Sequence, residues 1–221
     1  MVRKPRVLQI CHDAKGPFPT VARQYSQFFS DCEVKTIFLC GEKPSDLVDA
    51  IPGDVDCLLL DSVAVRGLKL DVVAKVAAII ENRAPDILIA HRYKPFFVAL
   101  LLNLKMHIPL VLGVIHEYGF LRRWGRSVLS RFWPNNVRLI AVSEPICEEI
   151  CSGLPHLDGR VHVVPHAMDK VHLLDSISAR KSLNIPPDSY CFGVIGRLVW
   201  KKNHELLLRA FAELDEGPIL A

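Results

Sequence analysis

The chain has 221 residues, 27 basic against 24 acidic side chains and a formal net charge of +3. Hydrophobic residues make up 50% of it and charged residues 23%, which is enough apolar side chain to offset chain entropy and excludes a disordered or fibrous protein. A charge this near zero gives no indication of nucleic-acid binding over the whole surface, and the length predicts one large domain, or one domain and part of another.

Short β-rich runs alternate with longer helical patterns over the first three quarters of the chain. The predicted strands are nearly continuous apolar runs, as expected for a parallel sheet covered on both faces. They are Arg6–Cys11, Val34–Leu39, Cys57–Asp61, Asp86–Ala90, Leu110–Val114, Val137–Val142 and Val161–Val164. The predicted helices are Thr20–Phe29, Leu68–Asn82, Phe96–Lys105, Phe120–Phe132 and Glu144–Cys151. This order predicts a doubly wound α/β domain, in which ligands bind at the carboxyl ends of the strands.

A second region follows a turn at 165–169. A short helix is predicted at Ser176–Leu183, a strand at Tyr190–Ile195 and a helix at Asn203–Leu214, and Gly217–Pro218 opens another strand. A single strand–helix unit cannot bury its own apolar faces. We therefore expect the start of a second α/β domain in a chain that is truncated within it.

The cysteines and apolar runs indicate where the protein resides. Seven cysteines without a CxxC pair are typical of reduced thiols in a cytosolic protein. Cys147 and Cys151 lie one helical turn apart, but a metal site needs three or four converging ligands, so packed thiols are favoured and no metal is expected. The apolar run at the amino terminus is too short for a signal peptide, and Pro95–Leu102 is far shorter than the roughly 20 residues that span a bilayer. The prediction is a soluble protein, or at most one attached to a membrane surface.

Candidate ligand-binding residues follow three of the predicted strands. Gly16 lies in the loop after the first strand, where it permits a positive φ, although an ordinary capped loop explains it equally well. His91 follows the fourth strand, and His116 and Glu117 follow the fifth. Each histidine alone could be structural, but two at equivalent ends of neighbouring strands favour a shared site. A histidine beside a carboxylate can accept a proton or donate to ligand oxygens.

The segment 120–133 combines basic and aromatic residues, among them Arg122, Arg123, Trp124 and Arg126. Such a surface suits anionic lipid headgroups or a phosphorylated acceptor. A solvated helix face is the favoured alternative, because arginines are common on surfaces. No RNP-type motif supports stacking on RNA.

The most specific segment is 192–211, which reads as a strand, a Gly–Arg pair, a short loop and an amphipathic helix. Gly196 lets the backbone turn sharply, and Arg197 and Lys202 can converge from the strand end and the helix start. An arginine fork with a lysine point charge suits two phosphates, and the amino terminus of the helix adds positive potential.

This segment resembles the donor-domain signature of retaining glycosyltransferases with two Rossmann-like domains, the large group-1 or family 4 class with the GT-B fold. The family pattern is approximately Gly-Arg-Leu, three variable positions and Lys-Gly. Here it runs from Gly196 to Lys202, followed by Asn203 where glycine is usual.

Further motifs carry the resemblance over essentially the whole chain. Residues 141–144 (AVSE) look like the family's motif at the end of the sheet, and 163–169 (VVPHAMD) look like its hinge, with His166 and Ala167 replacing Asn and Gly. His116 occupies the place of the family's active-site histidine, and Gly16 that of its glycine-containing first loop.

The resemblance implies transfer of a sugar from a UDP-, GDP- or ADP-sugar to a glycan or lipid-linked acceptor, with retention and without a required metal or cofactor. Arg197 and Lys202 would bind the donor diphosphate, and His116 would be the catalytic residue that hydrogen-bonds the transferred sugar. Gly16, His91 and Glu117 would line the acceptor or sugar side.

The domain organisation and location follow from the same resemblance. Residues 1–168 would form an acceptor-side Rossmann-like domain, and 169–221 a linker and the start of the nucleotide-sugar donor domain. The basic–aromatic segment would meet the acceptor or the inner-membrane surface, for example in lipopolysaccharide core synthesis, in a cytoplasmic or peripheral protein. The family's pair of glutamates falls far beyond position 221, so the 221 residues alone are expected to be inactive.

Other interpretations stay open at this stage. A non-catalytic α/β module that binds carbohydrate or lipid would keep the same fold. A phosphorylase-like enzyme shares the two-domain architecture. A nicotinamide-dependent oxidoreductase is disfavoured, because the chain has no GxGxxG with its following acidic residue.

Overall fold

The computed structural model describes residues 3–41, 50–60, 70–167, 171–214 and 219–220. It divides into two compact units, residues 1–167 and 168–221, which we call unit 1 and unit 2. Some sequence expectations fall outside the described residues: Asp61, Leu68, Met168, Asp169 and Gly217–Pro218.

Unit 1 is a parallel sheet of seven strands with helices between them, so the predicted doubly wound, Rossmann-like α/β fold is confirmed. The strands are β1 (Arg6–Asp13), β2 (Glu33–Cys40), β3 (Asp54–Leu60), β4 (Ile87–His91), β5 (Leu110–Ile115), β6 (Val137–Ala141) and β7 (Val161–Val163). The helices are α1 (Phe18–Phe28), α2 (Leu70–Ile79), α3 (Tyr93–Met106), α4 (Trp124–Ser130) and α5 (Glu144–Gly153).

The strand order is β3-β2-β1-β4-β5-β6-β7, and every described pairing in it is parallel. The chain therefore winds outward from β1 in one direction and from β4 in the other. Connections leave to opposite sides at this switch point, which opens a crevice at the carboxyl ends of β1 and β4. Polar residues at the ends of these two strands are thus the first candidates for a ligand site.

Both faces of the sheet are buried, which explains the continuous apolar runs. Leu8 and Ile10 belong to the large core that includes α2, α3 and α5, whereas Val7 and Cys11 face the opposite side of the strand, where α1 packs. Gln9 points to this second side and is also buried, as a polar residue in the middle of an apolar strand.

Gly113 allows α3 to lie directly on β5. A Cβ atom at this position would stand 2.7 Å from the ring of Phe96, which is closer than side-chain carbons approach one another. The close approach fixes α3, and with it the turn between β4 and α3, against the strand that leads to His116.

The predicted helix Phe120–Phe132 is wrong over its first residues, because α4 begins only at Trp124. Phe120 and Leu121 are buried in the core from a turn that follows Gly119, whose φ is +76°. Their apolar spacing therefore reflects a loop anchored in the core rather than a helical face.

Unit 2 is a short β-α-β arrangement preceded by a helix. It contains α6 (Ser176–Ser182), β8 (Cys191–Phe192), α7 (His204–Ala212) and β9 (Ile219–Leu220), with β8 and β9 paired in parallel. Of the predicted strand Tyr190–Ile195, the residues in strand conformation are Cys191 and Phe192, which pair with Ile219 and Leu220. No side chain in 171–214 is buried.

The cysteines and helices give two further results. None of the seven cysteines, all within the described residues, forms a disulfide, and the sulfurs of Cys147 and Cys151 lie 3.9 Å apart. Within the described residues, no helix has the length and apolar character needed to cross a membrane.

Candidate active site

Three histidines and one glutamine form a continuous row of hydrogen bonds, which we call the histidine row. His91 Nε2 lies 2.8 Å from Gln9 Oε1, and His91 Nδ1 lies 3.2 Å from His116 Nε2. His116 Nδ1 lies 3.1 Å from His166 Nε2. The row starts inside β1, passes the carboxyl ends of β4 and β5 and ends beyond β7. It therefore joins His91 and His116, the two histidines that the sequence places at one edge of the sheet.

The surroundings of Gln9 fix the direction of its bond to His91. Gln9 Nε2 lies 3.1 Å from the carbonyl oxygen of Ala22 and 3.0 Å from Thr36 Oγ1. A backbone carbonyl only accepts, so the amide nitrogen of Gln9 must face it, and the amide oxygen must face His91. His91 therefore carries a proton on Nε2 and donates it to Gln9.

Burial keeps the next two rings neutral. His91 is fully buried, which holds its pKa well below the ordinary value, and His116 and His166 lower it further. Burial, with added repulsion from His166 and Arg92, lowers the pKa of His116 to about 4. A neutral ring has one proton, so His91 Nδ1 accepts from His116 Nε2, and His116 Nδ1 accepts from His166 Nε2.

Two aromatic rings of α1 flank the row. Phe18 meets His116 edge-on with ring centres 5.6 Å apart, and Tyr25 meets His91 edge-on at 4.9 Å. The hydroxyl of Tyr25 and Nδ1 of His12 are buried without a hydrogen-bond partner in the described part of the chain. Burial raises the pKa of Tyr25 to about 12, so this hydroxyl keeps its proton. Such unpaired atoms beside the switch point mark places where a ligand or water can bind.

Arg92 covers the outer side of Phe18. Its guanidinium lies 5.3 Å from the centre of the Phe18 ring and 3.5 Å from Glu117 Oε1. Glu117 therefore pairs with this arginine, while the neighbouring His116 bonds along the histidine row. The two adjacent residues therefore make different contacts.

The backbone of Arg92 is strained. Its φ of 74° with ψ of 167° is a combination that glycine adopts and that other residues adopt rarely. A strained backbone conformation of this kind persists only where contacts with the surrounding structure stabilise it, and such conformations are concentrated at functional sites. Here it lies between His91 and the start of α3.

We expect Arg92→Gly to be more stable than Arg92→Ala by about 1 kcal/mol, because both variants lose the guanidinium contacts and only glycine relieves the backbone. Urea unfolding of the two variants measures this difference. Arg123 is an exposed control with φ of −70° and ψ of 128°, where alanine should be the more stable replacement. The same order of stability at both positions would contradict strain at Arg92.

Gly16 lies in an open loop. Its φ is +62°, and an added Cβ would meet nothing within 4 Å. The expected positive φ is therefore present, and the space around it leaves room for a ligand.

The basic–aromatic surface is smaller than the sequence suggests. Arg122, Arg123 and Trp124 are exposed, the last by 81%. Arg126 instead turns back, donating to the carbonyl of Phe120 at 2.8 Å with its guanidinium 3.6 Å from the centre of the Tyr93 ring. Three of the four predicted residues thus face solvent.

The Gly–Arg–Leu turn of unit 2 is tied to the start of α7. His204 Nε2 donates to the carbonyl of Arg197 at 3.0 Å, and a Cβ at Gly196 would lie 3.6 Å from Cγ of Lys202. Asn203, which precedes α7, has a φ of +49°. The turn at Gly196 and the stem of Lys202 therefore lie close together beside the amino terminus of α7.

Sequence reasoning missed Gln9 and assigned no role to His166. Gln9 is the only polar residue in the run VLQIC, and that isolation is the signal that could have singled it out. In the sequence, His166 stands out only as a departure from the hinge pattern. Among the residues described, no group of three His, Cys, Asp or Glu could hold a metal ion.

The parallel sheet with its switch point and the second β-α-β unit form a Rossmann-like α/β fold, which matches solved structures of GT-B glycosyltransferases. The model of Glycosyltransferase Family 4 matches residues 21–171, about two thirds of the chain. The chain belongs to this family.

Solved structures agree on the fold. The structure of Anabaena HepE in complex with UDP and glucose has a TM-score of 0.70 and 17% identity, over 95% of this chain and 58% of HepE. The apo lipopolysaccharide outer core galactosyltransferase WaaB has a TM-score of 0.64 and 13% identity, over 97% and 59%. A UDP-N-acetylglucosamine 2-epimerase from Rickettsia bellii has a TM-score of 0.55 and 12% identity, over 95% and 60%. The chain thus spans less than two thirds of the length of these structures. No curated protein matches it.

Proposed function

We propose that the protein transfers a sugar from a nucleotide-sugar to a glycan or lipid-linked acceptor, with retention at the anomeric carbon. Unit 1 supplies the acceptor and sugar side, and unit 2 begins the donor side. The observation that supports this proposal is the turn at Gly196 in a family 4 chain: it bonds to His204, the first residue of α7, and lies beside the stem of Lys202.

The chemistry needs these cations where the bond to the leaving group breaks. Negative charge grows on the nucleoside diphosphate as it departs, and an arginine fork with a lysine ammonium stabilises it more in the transition state than in the ground state. No metal or other cofactor is required in this scheme. HepE was solved with UDP and glucose, so UDP-sugars are the first donors to test, followed by GDP- and ADP-sugars.

The test is sugar transfer by the complete gene product. Each radiolabelled nucleotide-sugar is incubated with lipid-linked and lipopolysaccharide-core acceptors, and label in the acceptor and its anomeric configuration are measured. Transfer from one donor with retention supports the proposal. Glycan or lipid binding without transfer from any donor overturns it in favour of a binding module.

We expect the 221 residues by themselves to transfer no sugar. Within 171–214 no side chain is buried, so the donor-side residues have no core to hold them in place. Measurable turnover by the 221-residue chain would contradict this expectation.

We also propose that Arg122, Arg123 and Trp124 contact the acceptor's anionic headgroup at a membrane surface. Each basic residue near an anionic bilayer contributes about 1 kcal/mol, so Arg122→Ala with Arg123→Ala should weaken vesicle binding by about 30-fold. Co-sedimentation with vesicles that contain or lack an anionic lipid measures this. Lys75→Ala with Lys105→Ala is the matched control, because both lysines are exposed on other helices. If the arginine pair and the lysine pair weaken vesicle binding equally, this surface has no specific role in membrane binding.

A further inference from the structure

His116 has no ring nitrogen left for a substrate. Its Nε2 donates to His91, and its Nδ1 accepts from His166. A sugar hydroxyl could reach this side chain only by displacing one of the two histidines. The end of the histidine row that is open to solvent is His166, which is an exposed residue.

The row also fixes which nitrogen of His166 is open. Every ring donates inward, toward Gln9, so neutral His166 has its proton on Nε2 and a bare Nδ1. Within the described part of the chain, this Nδ1 has no hydrogen-bond partner. A bare nitrogen accepts a hydrogen bond and gives none.

The chemistry of that nitrogen selects its ligand. Sugar hydroxyl groups donate hydrogen bonds, whereas an ionised diphosphate presents only acceptor oxygens. Nδ1 of His166 can therefore bind a hydroxyl of either the donor sugar or the acceptor, but it cannot form a hydrogen bond with the diphosphate.

We propose that His166 is a substrate-binding residue whose Nδ1 accepts a hydrogen bond from a sugar hydroxyl. Gln9 and His91 are positioning residues, which hold His166 in this tautomer through His116. The proposal rests on the proposed sugar transfer and gives roles in that reaction to Gln9 and His166, to which the resemblance assigns none.

The electrostatic surroundings support a neutral ring. Partial burial lowers the pKa of His166 below its ordinary value. His166 in turn lowers the pKa values of His116 and His91, and Arg92, which pairs with Glu117, acts on His116. Below the pKa of His166, a proton on Nδ1 abolishes the acceptor, so substrate binding weakens as the pH falls.

The kinetic test compares two replacements of His166 in the complete gene product. His166→Leu removes the acceptor and should raise KM for one substrate about tenfold. His166→Asn can still donate to His116 and accept from a hydroxyl, so it should stay within about threefold of the wild type and lose the acid limb of the pH profile. The substrate whose KM rises identifies the donor sugar or the acceptor as the source of the hydroxyl. His162→Leu, an exposed histidine on β7, is the matched control and should change neither KM.

The positioning role has its own readout. Imidazole ¹⁵N NMR of the 221-residue chain should show His166 protonated on Nε2 and bare on Nδ1 in the wild type, and a mixture of tautomers in Gln9→Leu. Introduced into the wild type, Gln9→Leu should also raise the KM that His166→Leu raises. Introduced into His166→Asn, it should have little further effect, because an asparagine side chain has no tautomers. If Gln9→Leu fails to fold, the wild-type spectrum still decides the tautomer.

The outcomes separate this inference from the proposed function. Wild-type protein that transfers no sugar overturns the proposed function, while the tautomer of His166 is still measured. Active wild-type protein with unchanged KM values in His166→Leu, or with the Nδ1 proton on His166, overturns the inference alone.

Discussion

Replacing Arg197 and Lys202 together by alanine should lower the affinity for a nucleotide-sugar at least 100-fold. Hydrogen bonds to charged groups contribute about 1.5–3 kcal/mol each, and the pair would make at least two of them to the diphosphate. Calorimetric titration of the complete gene product with UDP-, GDP- and ADP-sugars measures the change.

Two other exposed cations of unit 2 provide the control. Lys181→Ala with Arg209→Ala removes one lysine and one arginine charge, as the test variant does, and both residues lie outside the segment 196–202. Donor affinity should then fall by less than about threefold, the level of a screened surface charge. Equal losses of donor affinity in the two double variants would mean that any positive charge on unit 2 has this effect. That result would contradict a specific diphosphate site at Arg197 and Lys202.

Acid should destabilise the protein through the histidine row. An unfolded histidine binds a proton below about pH 6.5, whereas the pKa of folded His116 is about 4. Between these values the unfolded state holds more protons, so the free energy of unfolding falls as the pH falls. His116 alone should remove about 2 kcal/mol between pH 7 and pH 5, and His91 acts in the same direction.

Urea unfolding of the 221-residue chain at pH 7, 6 and 5 gives this dependence. His116→Gln should be less stable at pH 7 and should lose less stability on acidification. His162→Gln, at an exposed position, should follow the wild-type slope. If His116→Gln and the wild type have the same slope, the buried histidines are not the source of the acid sensitivity.

The sequence predicts the inner strands well because β1, β2, β4 and β5 are largely buried on both faces, and this leaves an unbroken apolar run. It does not predict the order of the strands in the sheet, because no local sequence pattern indicates on which side of β1 the next strand lies. The helix pattern at 120–132 misleads for a related reason. Phe120 and Leu121 are spaced like a helical stripe, yet a turn after Gly119 places them in the core.

The site is predicted only in part for the same physical reason. His91 and His116 end neighbouring strands, so the sequence suggests that they meet, and the structure places their nitrogens 3.2 Å apart. Gln9 and His166 lie 82 and 75 positions from His91 along the chain, and only the folded sheet brings them into one row. Their roles depend on hydrogen-bond direction, which no sequence pattern encodes.

Asn203 shows that the motif at residues 196–203 specifies a backbone shape as well as a set of residues. The family's glycine falls at a position whose φ here is +49°, and asparagine is the side chain that tolerates this region best after glycine. Searches that demand Lys-Gly at this point will pass over chains that make the same turn with Lys-Asn. A pattern written in allowed dihedral angles, accepting either residue, would recover them.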